Sequence, residues 1–334
     1  MPAIDWSETD DGKEWDEFVA RNHGTAFQSW AWRGVLETAF RRPKYLACRD
    51  SRGTLKAICP LFMVKGRYLS NLDSFPGGIR GGPLFDSGAK DISIAMESLE
   101  RTLKSSIWNR IEFLRITTCD KEVINSLVSS GSPYEIGWGI FVLDMMEVAP
   151  DHIWKKLFNR VDRQDIKYFD RLNYSSRLAE NDKEYEEFLD LENRSMKRQG
   201  HHPLSRERFF KMRSILGGNF QILEVTSPNG GLVAGLTMVS NPDRTMVHLL
   251  HVGYSRDKNS KSSYMYVLWQ EIGRAREEGF RYVDFGGTNP NPADPVNRIK
   301  RKLGGSYVPL YAFTIPTWTR MYGLARRLYS LTKH

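Results

Sequence analysis

Two residues at the ends of one segment, Asp284 and Lys300, stand out for chemistry in this chain of 334 residues. The segment Arg281–Tyr307, RYVDFGGTNPNPADPVNRIKRKLGGSY, runs from an apolar strand into an acid and two glycines. A Pro/Asn-rich loop, a basic cluster and two more glycines follow. The strand end predicts an Asp284 carboxylate that reaches a cleft, with Gly286 and Gly287 letting the backbone turn there without a Cβ clash. Lys300, brought back over that cleft, can stabilise the negative charge that develops when an amine attacks an ester or thioester carbonyl. The attack needs a neutral amine and therefore a base, for which Asp284 or a water it orients is the candidate. Taken singly, each has a plainer reading: Asp284 as a turn-capping carboxylate, Lys300 as a surface lysine.

A second group of cations, Arg160, Arg163 and Lys167, falls at i, i+3 and i+7, one face of a helix. Such a face holds an anion or is simply solvated, with Asp162 and Asp165 close enough to pair with it. Other chemistries are excluded. No GxGxxG follows a strand, and there is neither a GxxxxGK[ST] loop nor a GxSxG elbow. Asp284–Gly286 spells DFG, but no HRD-type loop precedes it, so a kinase is rejected. His248 and His251, three apart in a strand, point to opposite faces, and no Cys/His spacing fits zinc, so no metal site is expected.

Those residues need elements to hold them. The composition, 40% hydrophobic and 26% charged, is that of a globular chain, and its length predicts two domains. A net charge of +8 points to an anionic partner: phosphate, nucleic acid or acidic lipid. Helices are predicted at EWDEFVARN and AFQSWAWRGVLETAF, paired strands at KYLACRD and LKAICPLFMVKG, then a Gly/Pro-rich stretch, helix, strand, helix and strand. From about residue 148 the order restarts. A basic helical stretch from Asp151 to Asn173 leads to further helices, three successive strands, a helix after a Ser/Lys loop, and strands on either side of the segment 281–307. The fold class is therefore α/β (α+β): an N-terminal domain over 1–147, a C-terminal domain over 148–315 and a basic amphipathic helix over 316–334. That last helix either docks on its own domain or rests on an anionic membrane. Three cysteines without a disulfide framework, no signal peptide and no apolar run of about 18 residues predict a cytoplasmic protein, with peripheral membrane contact left to the terminal helix.

Several motifs, in order along nearly the whole chain, resemble those of FemABX-type peptidyltransferases and the related BioF2-like acetyltransferases of the GNAT superfamily. FQSWAW (Phe27–Trp32) is similar to the early F/Q-s-x-x-W element, and SFPGGIRGGPLF (Ser74–Phe85) to S-x-P-x-x-x-x-G-G-P-L. RQDIKYF (Arg163–Phe169) is similar to R-x-x-I-R-x-A, GFRYVDFGGTN to G-x-x-x-x-D-F-G-G, and IKRKLGG (Ile299–Gly305) to F-K-x-x-F-G-G. GLVAGLTMV matches a strand motif. The resemblance implies tandem GNAT-like domains facing one cleft, each a mixed, largely antiparallel sheet flanked by helices. It implies transfer of an acyl group, often aminoacyl from charged tRNA, to an amine of a cell-envelope precursor such as that of peptidoglycan. By position it implies Lys300 near the reacting carbonyl and Arg163 and Lys167 on a precursor's phosphates, with Arg160 of the same helical face a further substrate-binding candidate. Trp30, Gly81, Gly82, Tyr264, Gly286 and Gly287 would line the substrate. The chain departs from the pattern at Ile299 and Leu303, which replace aromatics, and it has no heptad-repeat arm for tRNA.

Three readings follow. The first is an acyl- or aminoacyltransferase with no tightly bound cofactor, using aminoacyl-tRNA or acyl-CoA as co-substrate and an anionic envelope precursor, amino sugar or peptide as acceptor. The second is an acetyl-CoA-dependent N-acetyltransferase, against which the loop Ser255–Ser263 lacks the glycines of R/Q-x-x-G-x-G/A. The third is a non-catalytic binder of tRNA or of anionic membrane.

Overall fold

In the computed structural model, residues 4–66, 70–74, 80–86, 92–104, 111–255 and 262–316 are described. They form two compact units: unit one holds the described residues up to 138 with 309–316, and unit two those of 139–308.

Unit one begins with β1 (Asp5–Glu8) and α1 (Gly12–Arg21). Asp11 caps α1 by accepting the Glu14 amide at 2.9 Å, and the helix buries Trp15, Phe18 and Val19. The helix expected next is interrupted. A 3₁₀ turn (Ala26–Gln28) ends at an extended Ser29, and only α2 (Ala31–Leu36) is α-helical. β2 (Arg41–Arg49) and β3 (Leu55–Lys65) form the predicted antiparallel pair, turned by Asp50, which accepts the Arg52 and Thr54 amides. Then come β4 (Ser70–Asp73), β5 (Leu84–Phe85), α3 (Ile92–Lys104), β6 (Ile111–Thr118) and α4 (Lys121–Ser129). Within this unit β1–β2–β3–β4–β6 are neighbours in that order. β4 and β6 run parallel, and the other pairs are antiparallel.

β7 (Tyr134–Asp144) carries the chain into unit two. A short turn α5 (Pro150–His152) runs into a π-turn (Ile153–Leu157), and α6 (Arg160–Arg171) starts afresh after Phe158. The break in the expected basic helix has a local cause: Asn159 is extended and caps α6, exchanging hydrogen bonds with Asp162. Next are β8 (Ser175–Leu178), α7 (Asp182–Arg198), α8 (Arg206–Leu216), β9 (Phe220–Thr226), β10 (Leu232–Ser240), β11 (Met246–Tyr254), α9 (Ser263–Glu277) and β12 (Tyr282–Thr288). The stretch after β12, read from sequence as a Pro/Asn-rich loop and a basic cluster, contains α10 (Pro295–Lys302), capped by Asp294 and opened by Pro295. β13 (Ser306–Pro316) closes the described chain.

The strand order in unit two is β7–β12–β11–β10–β9–β8, antiparallel except for the pair β11/β12. Each unit thus has one parallel pair whose strands are linked through a helix, α3 between β4 and β6 and α9 between β11 and β12. The repeated mixed unit expected from the sequence is present: α/β, largely antiparallel and flanked by helices. The boundary differs from the expected 147/148. Gly139–Asp144 pair with β12, while Tyr311–Pro316 pair with β6 of unit one. Backbone pairing, which element order does not reveal, sends the last described strand back to the first unit. No helix among the described residues is long and apolar enough to cross a membrane. Residues 317–334 of the terminal helix expected over 316–334, and the loop residues 256–261 with Lys258 and Lys261, lie outside the described residues.

Candidate active site

The parallel ladder between β11 and β12 is short. It pairs Met246–His248 with Tyr282–Asp284 and stops there. Beyond it, Leu249–Val252 and Phe285–Gly287 line a cleft of about 960 Å³ within unit two, together with residues of α7, α9 and α10. Both strands are irregular at this point. Leu250 is the extra residue where β11 slips against β10, and the β12 register against β7 shifts between Asp284 and Gly287. Gly286 has φ of 77°, and a Cβ there would meet the Leu249 carbonyl at 3.0 Å, so the turn requires glycine.

Gly286 also joins the two residues that the sequence singled out. Its N–H donates to Asp284 Oδ1 at 2.9 Å, and its carbonyl accepts from Lys300 Nζ at 3.0 Å. A second proton of Lys300 goes to the Gly287 carbonyl at 3.2 Å. An ammonium has three, which leaves one for a ligand in the cleft that Lys300 lines. Lys300 is held in place by its helix. Gly304 N–H and Gly305 N–H close α10 on the Arg301 and Lys300 carbonyls, and buried Asn297 ties the preceding loop down through the Asn289 and Asn291 carbonyls. Burial pulls the lysine pKa down to about 8, against the opposing charges of Asp284 and Asp294.

The geometry corrects the expected place of Asp284. Only 2% exposed, it is absent from the cleft wall. Its Oδ2 lies 2.9 Å from His248 Nδ1, and His248 Nε2 lies 2.7 Å from Asn241 Oδ1. The carboxylate lies on the opposite face of β12 from Phe285, which lines the cleft, because successive strand side chains alternate.

The acid that does line the cleft is Glu192 of α7. Its helix crosses the sheet over a cross-strand glycine pair, Gly235 opposite Gly253. Phe188 fills the first notch, with ring atoms 2.7 Å from where a Gly235 Cβ would stand, and the Glu192 backbone fills the second. Glu192 Oε2 is buried and has no hydrogen-bond partner among the described residues. Burial pushes its pKa up to about 7. Oε1 lies 3.6 Å from Nδ1 of His251, whose pKa burial and the Arg208 charge lower to about 4. At pH 7 that imidazole is neutral and supplies no counter-charge. The sequence carried one signal for Glu192: it follows Tyr185, Phe188 and Leu189 at the i+7 position of an otherwise apolar helical stripe.

Of the other expected residues, Tyr264, Gly286 and Gly287 share the cleft with Lys300. Burial and the neighbouring Tyr254 raise the Tyr264 hydroxyl to about 12. Arg160, Arg163 and Lys167 lie on α6 and are not part of the cleft wall. Arg163 is turned back onto the chain, donating to the Trp154 and Phe158 carbonyls, and Lys167 sits 6.0 Å over the Trp154 ring. The expected anion clamp is thus partly spent on closing the π-turn. Trp30, Gly81 and Gly82 belong to unit one. Trp30 packs edge-on to Trp15 and Tyr45, while the two glycines border a smaller cavity of about 150 Å³ beside Arg80 and Cys119. No group of three or more His, Cys, Asp or Glu is placed to hold a metal among the described residues.

Residues 155–294 match the family model of the acetyltransferase (GNAT) domain. No curated protein matches the chain in sequence. Among solved structures, FemX superposes with a TM-score of 0.74 at 13% identity, covering 96% of this chain and 99% of that one. L-PGS from Bacillus licheniformis gives 0.61 at 11% identity, covering 98% and 97%. A tandem GNAT protein from the clavulanic acid biosynthesis pathway gives 0.57 at 11% identity, covering 95% and 99%. At these identities the likeness is one of fold. Residues 155–294 thus resemble a GNAT acetyltransferase domain, and the fold of the chain is similar to that of FemX and of a tandem GNAT protein.

Proposed function

We propose that the protein acylates an amine in the cleft of unit two, moving an aminoacyl group from charged tRNA to a peptide or amino-sugar amine of an anionic cell-envelope precursor. The observation that carries this is Lys300, a buried cation lining the cleft with two protons committed to the Gly286 and Gly287 carbonyls. A cation so fixed is aimed before the reaction begins and needs no reorganisation as charge appears on the carbonyl oxygen. The tetrahedral oxyanion takes its third proton as a hydrogen bond, and the ester bond then breaks. The likeness to FemX supports an aminoacyl donor. The match of residues 155–294 to an acetyltransferase domain supports a second reading, with acetyl-CoA as donor.

Purified protein incubated with radiolabelled aminoacyl-tRNAs or acetyl-CoA, plus lysyl peptide or glucosamine acceptors, tests both. Label in the acceptor from aminoacyl-tRNA supports the first reading, and label from acetyl-CoA alone supports the second. Tight tRNA or liposome binding with no transfer from either donor overturns both. The net charge of +8 fits an anionic substrate or contact with an anionic membrane, and salt-sensitive binding of either is the measurement.

A further inference from the structure

We propose that the turn before β2 is a membrane-docking tip. Phe40 enters the headgroup boundary of an anionic bilayer, and Arg41, Arg42 and Lys65 meet the lipid phosphates. The contact lies within unit one and does not depend on the acyl-transfer reading. The tip is a two-residue turn, Ala39 and Phe40, closed by two backbone hydrogen bonds exchanged between Thr38 and Arg41, at 3.0 and 3.2 Å. The Phe40 carbonyl accepts the Lys65 amide at 2.9 Å, and the Phe40 N–H donates to Thr38 Oγ1 at 3.3 Å. The backbone is pinned, yet the ring is 69% exposed, more than any other aromatic side chain among the described residues. Turn tips are the places of Gly, Asn, Asp and Ser, whose side chains or missing side chain suit the bend. Ala39 and Phe40 do nothing of that kind for the turn, and Phe40 holds apolar surface in water. A local rule broken in this way points to a use outside the fold.

The charges around the ring say what covers it. β2 and β3 together carry Arg41, Arg42, Lys44, Arg49, Lys56 and Lys65 and no acid. Away from the tip the cations are paired, Lys44 with Glu8, Arg49 with Glu14 and Lys56 with Asp50. At the tip, Arg41, Arg42 and Lys65 form no ion pair among the described residues. Arg41 and Arg42 are successive strand residues, so they flank the tip on opposite faces, and Lys65 joins them from β3. Glu37, where α2 ends, is the acid nearest in sequence, one charge against three. An apolar wedge with a collar of cations matches a surface that is anionic outside and apolar beneath. Single-stranded nucleic acid is the weaker match, because it stacks on several aromatic rings along a groove and this turn offers one.

The test sediments the full-length protein with vesicles of mixed phosphatidylglycerol and phosphatidylcholine, and with vesicles of phosphatidylcholine alone. Expected is binding to the mixed vesicles that weakens in high salt, and little to the neutral ones. Phe40→Ser should lower the affinity about tenfold. Phe40→Trp, with a ring suited to the interface, should keep it. Arg42→Ala and Lys65→Ala should each lower it about fivefold. All four side chains change at exposed positions, and thermal melts matching wild type confirm that the variants are folded. Should Phe40→Ser melt early, the two alanine variants carry the test. Wild-type protein that does not bind the mixed vesicles overturns the proposal. So does binding that none of the variants weakens, which places the contact elsewhere on the chain. Variants that weaken binding of tRNA but not of vesicles overturn it as well, and give the tip to nucleic acid.

Discussion

Glu192 rests directly on Gly253. A methyl group at the glycine would stand 2.8 Å from the Glu192 nitrogen, 2.9 Å from its Cα and 3.2 Å from Oε2. Two of those atoms are backbone, so relief requires lifting α7 off the sheet rather than rotating a side chain. Gly253→Ala is therefore expected to cost about 1–3 kcal/mol of stability. It should also lower the rate of transfer, because it displaces Glu192 and with it the α7 wall of the cleft. A thermal melt and a transfer assay check the two halves.

Asp284 is expected to matter for folding more than for chemistry. It is buried, faces His248 and holds the Gly286 amide. Asp284→Ala takes an acceptor from the part-buried Gly286 amide and from buried His248, a loss on the order of 3 kcal/mol. The melting temperature should fall, and the protein that remains folded should turn over within about tenfold of wild type. Wild-type stability with a rate loss above 100-fold would place Asp284 in the reaction instead.

Lys300 predicts an alkaline limb. Burial lowers its pKa to about 8, so the ammonium is present below that pH and lost above it. Transfer should fall as pH rises through about 8. Lys300→Met should remove this limb and lower the rate about 100-fold or more, with a melting temperature at pH 7 no lower than wild type, because a buried charge has been replaced by an apolar chain. A rate–pH profile of both proteins decides it.

Glu192 predicts a stability effect of its own. Its carboxyl is raised from 4.5 to about 7, so the fold favours the protonated form. Below about pH 4.5 both folded and unfolded chains hold the proton and nothing is lost. Between 4.5 and 7 the unfolded chain releases it first, so stability falls as pH rises. Above 7 the full cost, about 3 kcal/mol, is present. Glu192→Gln carries no such titration. Its melting temperature should exceed that of wild type by a margin that widens from pH 5 to pH 8, as read by calorimetry.

Much of this was legible in residue order. The paired runs of β2 and β3 are set by local patterning, and the repeated element order exposed the doubled unit. The glycines after Asp284 were legible because a strand-end turn requires them, and Lys300 because a lysine beside such a turn can offset oxyanion charge. The break before α6 was missed although Asn159 and Asp162 spell its cap, because the basic run on either side reads as continuous helix. Arg163 was misplaced for a related reason: three cations on one face do not reveal that one guanidinium folds back onto two carbonyls.

By itself, then, the sequence determined which residues could turn, cap, alternate and carry charge, since those properties depend on neighbours within a few positions. Only the tertiary structure decided that Asp284 turns inward while Glu192, 92 positions earlier, faces Lys300's cleft. That outcome depends on where β11 and β12 stop pairing and on how closely α7 can approach Gly253. Both are set by backbone contacts between residues far apart in the chain.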